Sequence, residues 1–584
     1  MITTYPYQDS ALPIDQRVSD LMSRLSLEDK AGLMFHTMVG YGDITHKEPM
    51  FGLPSLTSMV TKRRMSHFNV IGSLASGREM AAWHNRAQDL AATTGWGIPL
   101  SISTDPRHGF TDNPGAAMLA GPFSQWPEPL GLAALRDPDA VRVFADTARQ
   151  EYIAVGIRVA LHPQIDVATE PRWARCNGTF GEDADLVALL GQAYIEGYQT
   201  DDFGSESVST MAKHFPGGGP QKDGEDPHFP YGKDQVYPSG SFDYHLKPFL
   251  TAIAAGVRQM MPYYGRPVGT EWEEVGFGFN KGILTDLLRD KLGFTGIVCT
   301  DWGLLTDTDM DGQDFPARAW GVEHLTREER MLKGIDAGVD QFGGELCPDV
   351  LVGLVRDGKV TESRLDTSVR RLLVEKYTLG LFDSRHVDEE RALMVVGSDE
   401  FIEAGLRAQS QSVTVLKNDQ TAARLPQATG VKVYVEGMNP ATLSGRATVV
   451  DSPDQADLAI LRLKAPFEPR GSGFDAFFHA GSLDFPQAQV DHVKAIADLA
   501  PTIVDVYLDR PAILTPMVPL ANTLTVTYGT SDAAYADVVF GVVTPSGKLP
   551  FDLPRSMAAV EASPEDAPFA TADPLFHFGD GLSV

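Results

Sequence analysis

Apolar runs that end in a charged or polar side chain alternate with amphipathic stretches up to about residue 380. The apolar runs predict buried strands, and stretches such as 282–292 and 329–338 predict helices. Strand–helix alternation predicts a parallel sheet, and in a closed (β/α)8 barrel the carboxyl ends of all strands share one face. We therefore expect the residues that follow the runs to meet in one cleft, namely Asp105, Arg172, Lys213, His214, Tyr263, Asp301 and Trp302.

The chain length predicts more than one domain, because 584 residues are too many for a single hydrophobic core. A last amphipathic helix of the barrel stops at Gly380, and a charged stretch follows it. New strand and helix patterns then begin, with strands predicted over 431–437 and 457–464. We predict a barrel over 1–383, a linker over 384–405, and a three-layer α/β/α sandwich over 406–584.

The charge balance excludes nucleic acid and anionic membranes as partners, since the formal net charge is −29. No apolar run reaches the length of a membrane span, and residues 1–10 lack the pattern of a signal peptide. The three cysteines are far apart and odd in number, which argues against a disulfide framework. We expect a cytoplasmic protein without a cofactor, and the sequence leaves a homo-oligomer open.

Two segments imitate binding loops without completing them. Asp307, Asp309, Asp311 and Gly312 resemble the start of a calcium loop, but Arg318 stands where the loop needs its bidentate acid. The glycines at 217–219 are followed by proline rather than by the Lys-Ser/Thr pair of a phosphate loop. We therefore predict neither a metal site nor a phosphate site.

Three acidic positions are candidates for proton or group transfer. Asp301 follows a buried strand and precedes Trp302, where it is either functional or the cap of a helix. Asp226 and His228 form either a proton-transfer dyad or an Asp-stabilised turn, and turn preference favours the second reading. Glu468 lies in a proline-flanked loop that could reach over the barrel, although an exposed surface glutamate is the default.

Four segments in order resemble glycoside hydrolase family 3. They are EPRWARCNGTFGED (170–183), AKHFPGGGP (212–220), LLRDKLGFTGIVCTDWG (287–303) and PSGKLPFDLP (545–554). The resemblance covers most of the predicted barrel and much of the second domain. Four ordered segments over such a length form a more specific signal than any one of them.

The resemblance implies a retaining, exo-acting β-glycosidase, most simply a β-glucosidase, whose substrate is a β-glycoside or an oligosaccharide. It implies Asp301 as the nucleophile, with Tyr263 close to it and Trp302 as an apolar wall for the sugar ring. Glu468 matches the acid/base glutamate of the two-domain β-glucosidases. Hydroxyl-binding roles are implied for Asp105, Arg172, Lys213 and His214.

The sequence also departs from the family pattern. Ala174 replaces a glycine, and Asn177-Gly178 stands where many members have a glutamate. Two alternatives follow: an N-acetylglucosaminidase that uses Asp226 and His228 as its acid/base dyad, and a sugar-binding homologue without activity. The segment after His214 lacks the usual continuation of the N-acetylglucosaminidases, which favours the glucosidase reading.

Overall fold

The computed structural model describes residues 5–47, 52–113, 115–310, 313–471 and 473–584. Asp311 and Gly312, two of the residues that resemble a calcium loop, lie outside the described residues. Eight parallel strands form the first sheet: β1 (Phe35–Gly40), β2 (His67–Ile71), β3 (Ser101–Thr104), β4 (Ile157–Ala160), β5 (Ser209–Phe215), β6 (Gln259–Pro262), β7 (Ile297–Val298) and β8 (Phe342–Gly343).

The first sheet closes into a barrel. Its strand order is β8-β1-β2-β3-β4-β5-β6-β7, and the two ends are joined by a parallel bridge between Cys299 and Gln341. Thr300 N also donates to Gln341 O at 2.9 Å. The predicted (β/α)8 barrel is therefore confirmed, and an apolar cluster of Val159, Leu161, Met211, Met261 and Cys299 fills its interior.

Helices surround the barrel and connect its strands. They are α1 (Ile14–Met22), α2 (Leu27–Leu33), α3 (Leu56–Arg63), α4 (Gly77–Ala92), α5 (Pro129–Leu135), α6 (Pro138–Ala154), α7 (Ala184–Gln199), α8 (Phe242–Ala254), α9 (Arg327–Ala337), α10 (Pro348–Arg356) and α11 (Glu362–Thr378). The helix predicted over 282–292 is a π-helix over Gly282–Lys291. Among the described residues, no helix combines the length and apolar character needed to cross a membrane.

The stretch predicted as a linker contains the helix α12 (Glu389–Val395) and the start of α13 (Asp399–Ser412). Asp388 caps α12, because its side chain accepts hydrogen bonds from the backbone N–H groups of Glu390 at 2.9 Å and Arg391 at 3.1 Å. α12 packs on α4 at Gly77, where a Cβ would come within 2.5 Å of the Ala392 carbonyl. Charged residues in this stretch therefore lie on the outer faces of helices that pack on the barrel.

The second domain is the predicted α/β/α sandwich. Its strands are β9 (Thr414–Asn418), β10 (Val431–Glu436), β11 (Ala447–Val449), β12 (Leu458–Lys464), β13 (Thr502–Tyr507) and β14 (Thr523–Thr527). Their order is β9-β14-β13-β12-β10-β11, and only the β9–β14 pair is antiparallel.

Alternate residues of the central strand β12 supply two separate cores. Ala459 and Leu461 belong to the core beneath α14 (Gln487–Ala497), whereas Leu458 and Ile460 belong to the core beneath α15 (Asp532–Val539). This period of two is expected for a strand that is buried on both faces. A short helix, α16 (Met557–Glu561), precedes the carboxyl-terminal segment.

Arg510 fastens one loop of the second domain to the barrel. Its guanidinium is buried and donates to the carbonyls of Pro466, Ala480, Gly481 and Ser482 at 2.9–3.1 Å. It also donates to the carbonyl of Arg172, in the barrel, at 2.9 Å. The loop over 466–482 is thereby held against the carboxyl-terminal face of the barrel.

We predict that Arg510→Ala weakens this attachment. Removing the guanidinium leaves several carbonyls without donors, and we expect a loss of about 2–4 kcal/mol in the free energy of unfolding. Thermal unfolding followed by circular dichroism measures the change. Arg407→Ala, at an exposed position of α13, is the matched control and should stay within about 0.5 kcal/mol of the wild type. Equal midpoints for both variants would contradict the role of Arg510.

Candidate active site

A cavity of about 380 Å³ opens at the carboxyl-terminal face of the barrel. Both domains line it, because Phe474 of the second domain closes one side. Five of the predicted site residues line the cavity: Asp105, Lys213, His214, Asp301 and Trp302. Parallel strand ends thus bring together side chains that are almost 200 residues apart in the sequence.

Asp301 lies at the end of the run that contains β7. Backbone hydrogen bonds on both sides fix this run, with Cys299 N donating to Met260 O at 3.1 Å and Thr300 N donating to Gln341 O at 2.9 Å. The Asp301 Oδ1 atom accepts from Trp302 N at 2.8 Å. Its Oδ2 atom is buried and accepts no hydrogen bond from the described residues. A carboxylate oxygen without a donor, fixed in a cavity, is suited to act on a ligand.

Asp105 and Lys213 form a buried ion pair on one wall. Lys213 Nζ lies 2.9 Å from Asp105 Oδ1, and Asn69 Nδ2 donates to Asp105 Oδ2 at 2.9 Å. Asn69 is in the middle of β2, a position that the strand-end argument does not consider. The three side chains offer charged donors and acceptors that suit sugar hydroxyl groups.

His214 is oriented by Asp166, which the sequence reasoning missed. Asp166 Oδ2 lies 2.7 Å from His214 Nδ1, and Asp166 Oδ1 accepts from His214 N at 3.0 Å. His214 Nε2 then faces Asp301 Oδ2 at 3.8 Å. Burial lowers the pKa of His214 well below its usual range, and the nearby Arg175 adds to this effect.

Burial also raises the pKa of Asp166 to about 6, although backbone N–H donors oppose the shift. At neutral pH the pair is therefore a carboxylate and a neutral imidazole with its proton on Nδ1. The signal for Asp166 was present in the sequence, since it ends the apolar run ALHPQID after β4.

Arg172 does not line the cavity, and Arg175 takes that place. Arg172 is held by Glu170, with two guanidinium contacts of 2.8 Å. Arg175 lies three residues later, is 3% exposed and faces the cavity. Burial opposes its charge, but Tyr263 and the nearby carboxylates raise the pKa of Arg175 above its ordinary value.

Tyr263 was predicted to lie close to Asp301, and the structure places Tyr263 and its neighbour Tyr264 differently. Tyr263 is buried, does not line the cavity, and packs against His214, with ring centroids 4.4 Å apart and the ring planes tilted by 36°. Tyr264 lines the cavity, and its hydroxyl donates to Trp302 O at 2.8 Å and accepts from Trp302 N at 2.9 Å. Tyr264 therefore fixes the backbone beside Asp301.

The Asp226–His228 pair lies in the same cavity. His228 Nδ1 is 2.6 Å from Asp226 Oδ1, and His228 lines the cavity. Both residues are at least 95% buried, and burial lowers the pKa of His228. The pair has the side-chain contact of a dyad together with the backbone contact of an Asp-stabilised turn, because His228 N also donates to Asp226 Oδ1 at 3.0 Å.

Glu468 does not reach the cavity. It is exposed, and its carboxylate packs against Gly481 in the same loop. Its backbone N–H donates to Ala480 O at 2.9 Å, which pairs the two sides of the loop. The role predicted for Glu468 thus has no support from its position.

Other residues of the second domain contact the barrel segment that contains Asp226 and His228. Arg470 makes a two-pronged ion pair with Glu225, one contact being 2.6 Å. The ring of Phe478 lies 4.9 Å from the ring of His228, and that of Phe474 lies 5.9 Å from it. His228 is therefore held between the two domains.

Within the described ranges, no cluster of three His, Cys, Asp or Glu side chains is arranged to hold a metal ion. The three cysteines are buried and free. The groups of the described residues that can take part in chemistry at the cavity are its ionisable side chains.

Comparison with protein-family models finds two matches. The model described as "Glycosyl hydrolase family 3 N terminal domain" matches residues 55–374, and the model described as "Glycosyl hydrolase family 3 C-terminal domain" matches residues 250–584. Together they cover nearly the whole chain, including all four segments on which the resemblance rests.

Curated relatives match over most of their length. "Probable beta-glucosidase C" of Aspergillus flavus is 52% identical over 580 residues, which cover 99% of this chain and 92% of the relative. "Beta-glucosidase C" of Emericella nidulans is 51% identical, with coverage of 99% and 93%. "Periplasmic beta-glucosidase/beta-xylosidase" of Dickeya chrysanthemi is 41% identical, with coverage of 99% and 91%.

Solved structures share the fold at low sequence identity. A β-glucosidase from Erythrobacter marinus superposes with a TM-score of 0.82 at 21% identity, covering 99% of this chain and 84% of that one. A β-glucosidase from Listeria innocua, in complex with isofagomine, gives a TM-score of 0.77 at 22% identity, with coverage of 97% and 83%.

We predict that His214 stays neutral at pH 6. A free imidazole with a pKa near 6.5 is largely protonated at that pH, whereas burial opposes the charged form of His214. Nitrogen-15 NMR of histidine-labelled protein at pH 8 and pH 6 measures the state of each ring nitrogen. His214→Asn identifies the signals, and Asp166→Asn should mix the two neutral forms. A doubly protonated ring at pH 6 would refute the prediction.

Proposed function

The chain belongs to glycosyl hydrolase family 3, and from that membership we propose that it is a retaining β-glucosidase that releases the non-reducing terminal sugar of a β-glycoside. The names of the curated relatives support the β-glucoside as substrate. The observation that carries the proposal is the fixed carboxylate of Asp301, whose Oδ2 atom accepts no hydrogen bond from the described residues.

Groups around Asp301 support sugar binding at this point. Asp105, Lys213 and Asn69 form the polar wall described above, and Trp302 offers an indole ring that lines the same cavity. Hydroxyl groups pair with the polar wall, while the apolar face of a pyranose packs on the aromatic ring. The mixture of charges suits a neutral, polar ligand.

For the proton transfer we favour His228 over Glu468. His228 lines the cavity that contains Asp301 and is oriented by Asp226, whereas Glu468 lies outside that cavity. An imidazole held by a carboxylate through Nδ1 presents Nε2 for proton exchange. The dyad of the N-acetylglucosaminidase alternative is thus proposed here for a glucosidase.

The reaction proceeds in two displacements. An Asp301 oxygen bonds to the anomeric carbon while the bond to the aglycone oxygen breaks, and the proton on His228 Nε2 moves to that oxygen. Water then gives its proton to His228, and its oxygen bonds to the anomeric carbon as the ester to Asp301 breaks. Two inversions leave the configuration of the released sugar unchanged.

We predict that Asp301→Gly abolishes turnover of an aryl β-glucoside without loss of folding. Removal of a nucleophile lowers kcat by at least about 10³-fold, and azide should restore part of the activity by forming an α-glucosyl azide. In the wild type, a 2-deoxy-2-fluoroglucoside should label the peptide that contains Asp301, and proton NMR should detect β-glucose first. A label on another residue, or α-glucose as the first product, would overturn the assignment.

We predict that His228→Ala slows substrates with poor leaving groups far more than substrates with good ones. An activated phenol leaves without a proton, so a dinitrophenyl glucoside should lose less than about tenfold, while cellobiose should lose about 10²–10⁴-fold. Because the proton donor is the imidazolium form of His228, wild-type kcat/KM on cellobiose should fall as the pH rises through the pKa of His228, which burial lowers, and the variant should lose this limb.

Glu468→Ala is the matched comparison for the proton donor. We expect it to keep near wild-type activity on both substrates, since the carboxylate lies outside the cavity. The opposite pattern, with leaving-group dependence in Glu468→Ala and not in His228→Ala, would assign the role to Glu468. Activity on an aryl N-acetylglucosaminide above that on the glucoside would favour the other branch.

A further inference from the structure

A second cavity lies beside the first, on the other side of the wall formed by Lys213 and Arg175. Its volume is about 270 Å³, and both domains line it. Ala476, Phe477 and His479 of the second-domain loop face it, whereas Phe474 of the same loop faces the first cavity. Residues of one loop therefore line both cavities, and the proposed reaction uses only the first.

The second cavity contains a buried carboxylate with one unused oxygen. Asp509 is 9% exposed, and its Oδ2 atom forms a short contact with His479 Nδ1. Its Oδ1 atom is buried and accepts no hydrogen bond from the described residues. A buried carboxylate oxygen without a donor is destabilising, so a ligand hydroxyl that donates to it is favoured.

Further polar groups of both kinds surround the same space. With its Nδ1 atom engaged by Asp509, His479 presents Nε2 to the cavity. Lys464 lines the cavity and forms no ion pair in the described part of the chain. Asn177, which stands where many family members have a glutamate, donates to Thr111 Oγ1 at 2.9 Å and presents a neutral amide here.

Aromatic rings complete the lining. Phe110 and Phe477 face the cavity, and Phe477 is 43% exposed in spite of its size. Aromatic rings beside hydroxyl-binding groups match the two kinds of face of a pyranose. The volume is below the roughly 300–1,000 Å³ of sites for drug-sized ligands, which limits the occupant to about one ring.

We propose that this second cavity is a binding site for one neutral monosaccharide, separate from the site of hydrolysis. Asp509 and His479 bind hydroxyl groups, Lys464 supplies a donor, and Phe477 packs on the ring. Cationic and acidic side chains both line the cavity, so the lining selects neither sign of ligand charge, while a polyhydroxylated neutral ring meets donors and acceptors.

The test blocks the catalytic cavity and then measures sugar binding. Wild-type protein is labelled to completion with a 2-deoxy-2-fluoroglucoside, and glucose is added in an isothermal titration calorimetry experiment. We expect one remaining site per chain. His479→Phe, which keeps the stacking on Phe467 but removes the ring nitrogens, and Asp509→Asn should each weaken this binding at least tenfold.

His492→Phe, at an exposed position of α14, is the control and should bind as the wild type does. Absence of glucose binding to the blocked wild type overturns the proposal, as does unchanged binding in both cavity variants. If no covalent label forms, the proposed hydrolysis fails by itself. In that case the titration of unlabelled protein with glucose tests the second cavity. Glucose binding must decrease in His479→Phe and Asp509→Asn and not in His492→Phe.

Discussion

The position of Asp301 depends on the closure of the barrel between β7 and β8. The two strands are short, and their connection consists of the Cys299–Gln341 bridge and a few backbone hydrogen bonds, including Asp340 N to Val298 O at 2.9 Å. Asp340 reinforces this connection, since its carboxylate accepts from Val298 N at 3.0 Å and from Arg289 at 2.6 Å. Closure presents Asp301 to the groups that end β3 and β5 on the opposite side.

Closure also concentrates acidic groups, and cationic side chains lie among them. Asp105 is balanced by Lys213 at 2.9 Å, while Arg175 lies among Asp166, Asp226 and Asp301. Buried charges are stable only when they are paired or hydrogen-bonded, and Asp105, Asp166 and Asp226 have such partners, whereas one oxygen of Asp301 accepts no hydrogen bond from the described residues. The pairing that stabilises the buried charges therefore leaves Asp301 Oδ2 without a hydrogen-bond donor from the described residues.

Much of the fold could be predicted from the sequence, because period and length distinguish strands from helices. The barrel and the sandwich, the family, and the placement of Asp105, Lys213, His214, Asp301 and Trp302 in one cavity follow from strand ends and ordered motifs. Finer choices did not follow. Arg172 and Arg175 are three residues apart in one loop, and only the course of that loop decides which guanidinium faces the cavity.

The same limit explains Tyr264, Asn69 and Glu468. Tyr263 and Tyr264 both follow a strand, and only Tyr264 lines the cavity. The sequence alone does not show which of the two does so. Asn69 lies inside β2, where an apolar residue is the usual expectation. The orientation of Glu468 depends on the pairing of its loop with Ala480. Each case depends on loop geometry or tertiary contact, which local periodicity does not encode.

Contacts of the second-domain loop over 466–482 tie the two domains together beside His228. The barrel contains the carboxylate at position 301 and the imidazole at position 228, yet that imidazole packs against rings contributed by the sandwich, and the ion pair beside it crosses the domain boundary. A barrel transferred to a different partner domain would therefore keep both groups and lose the surface that holds the imidazole in place.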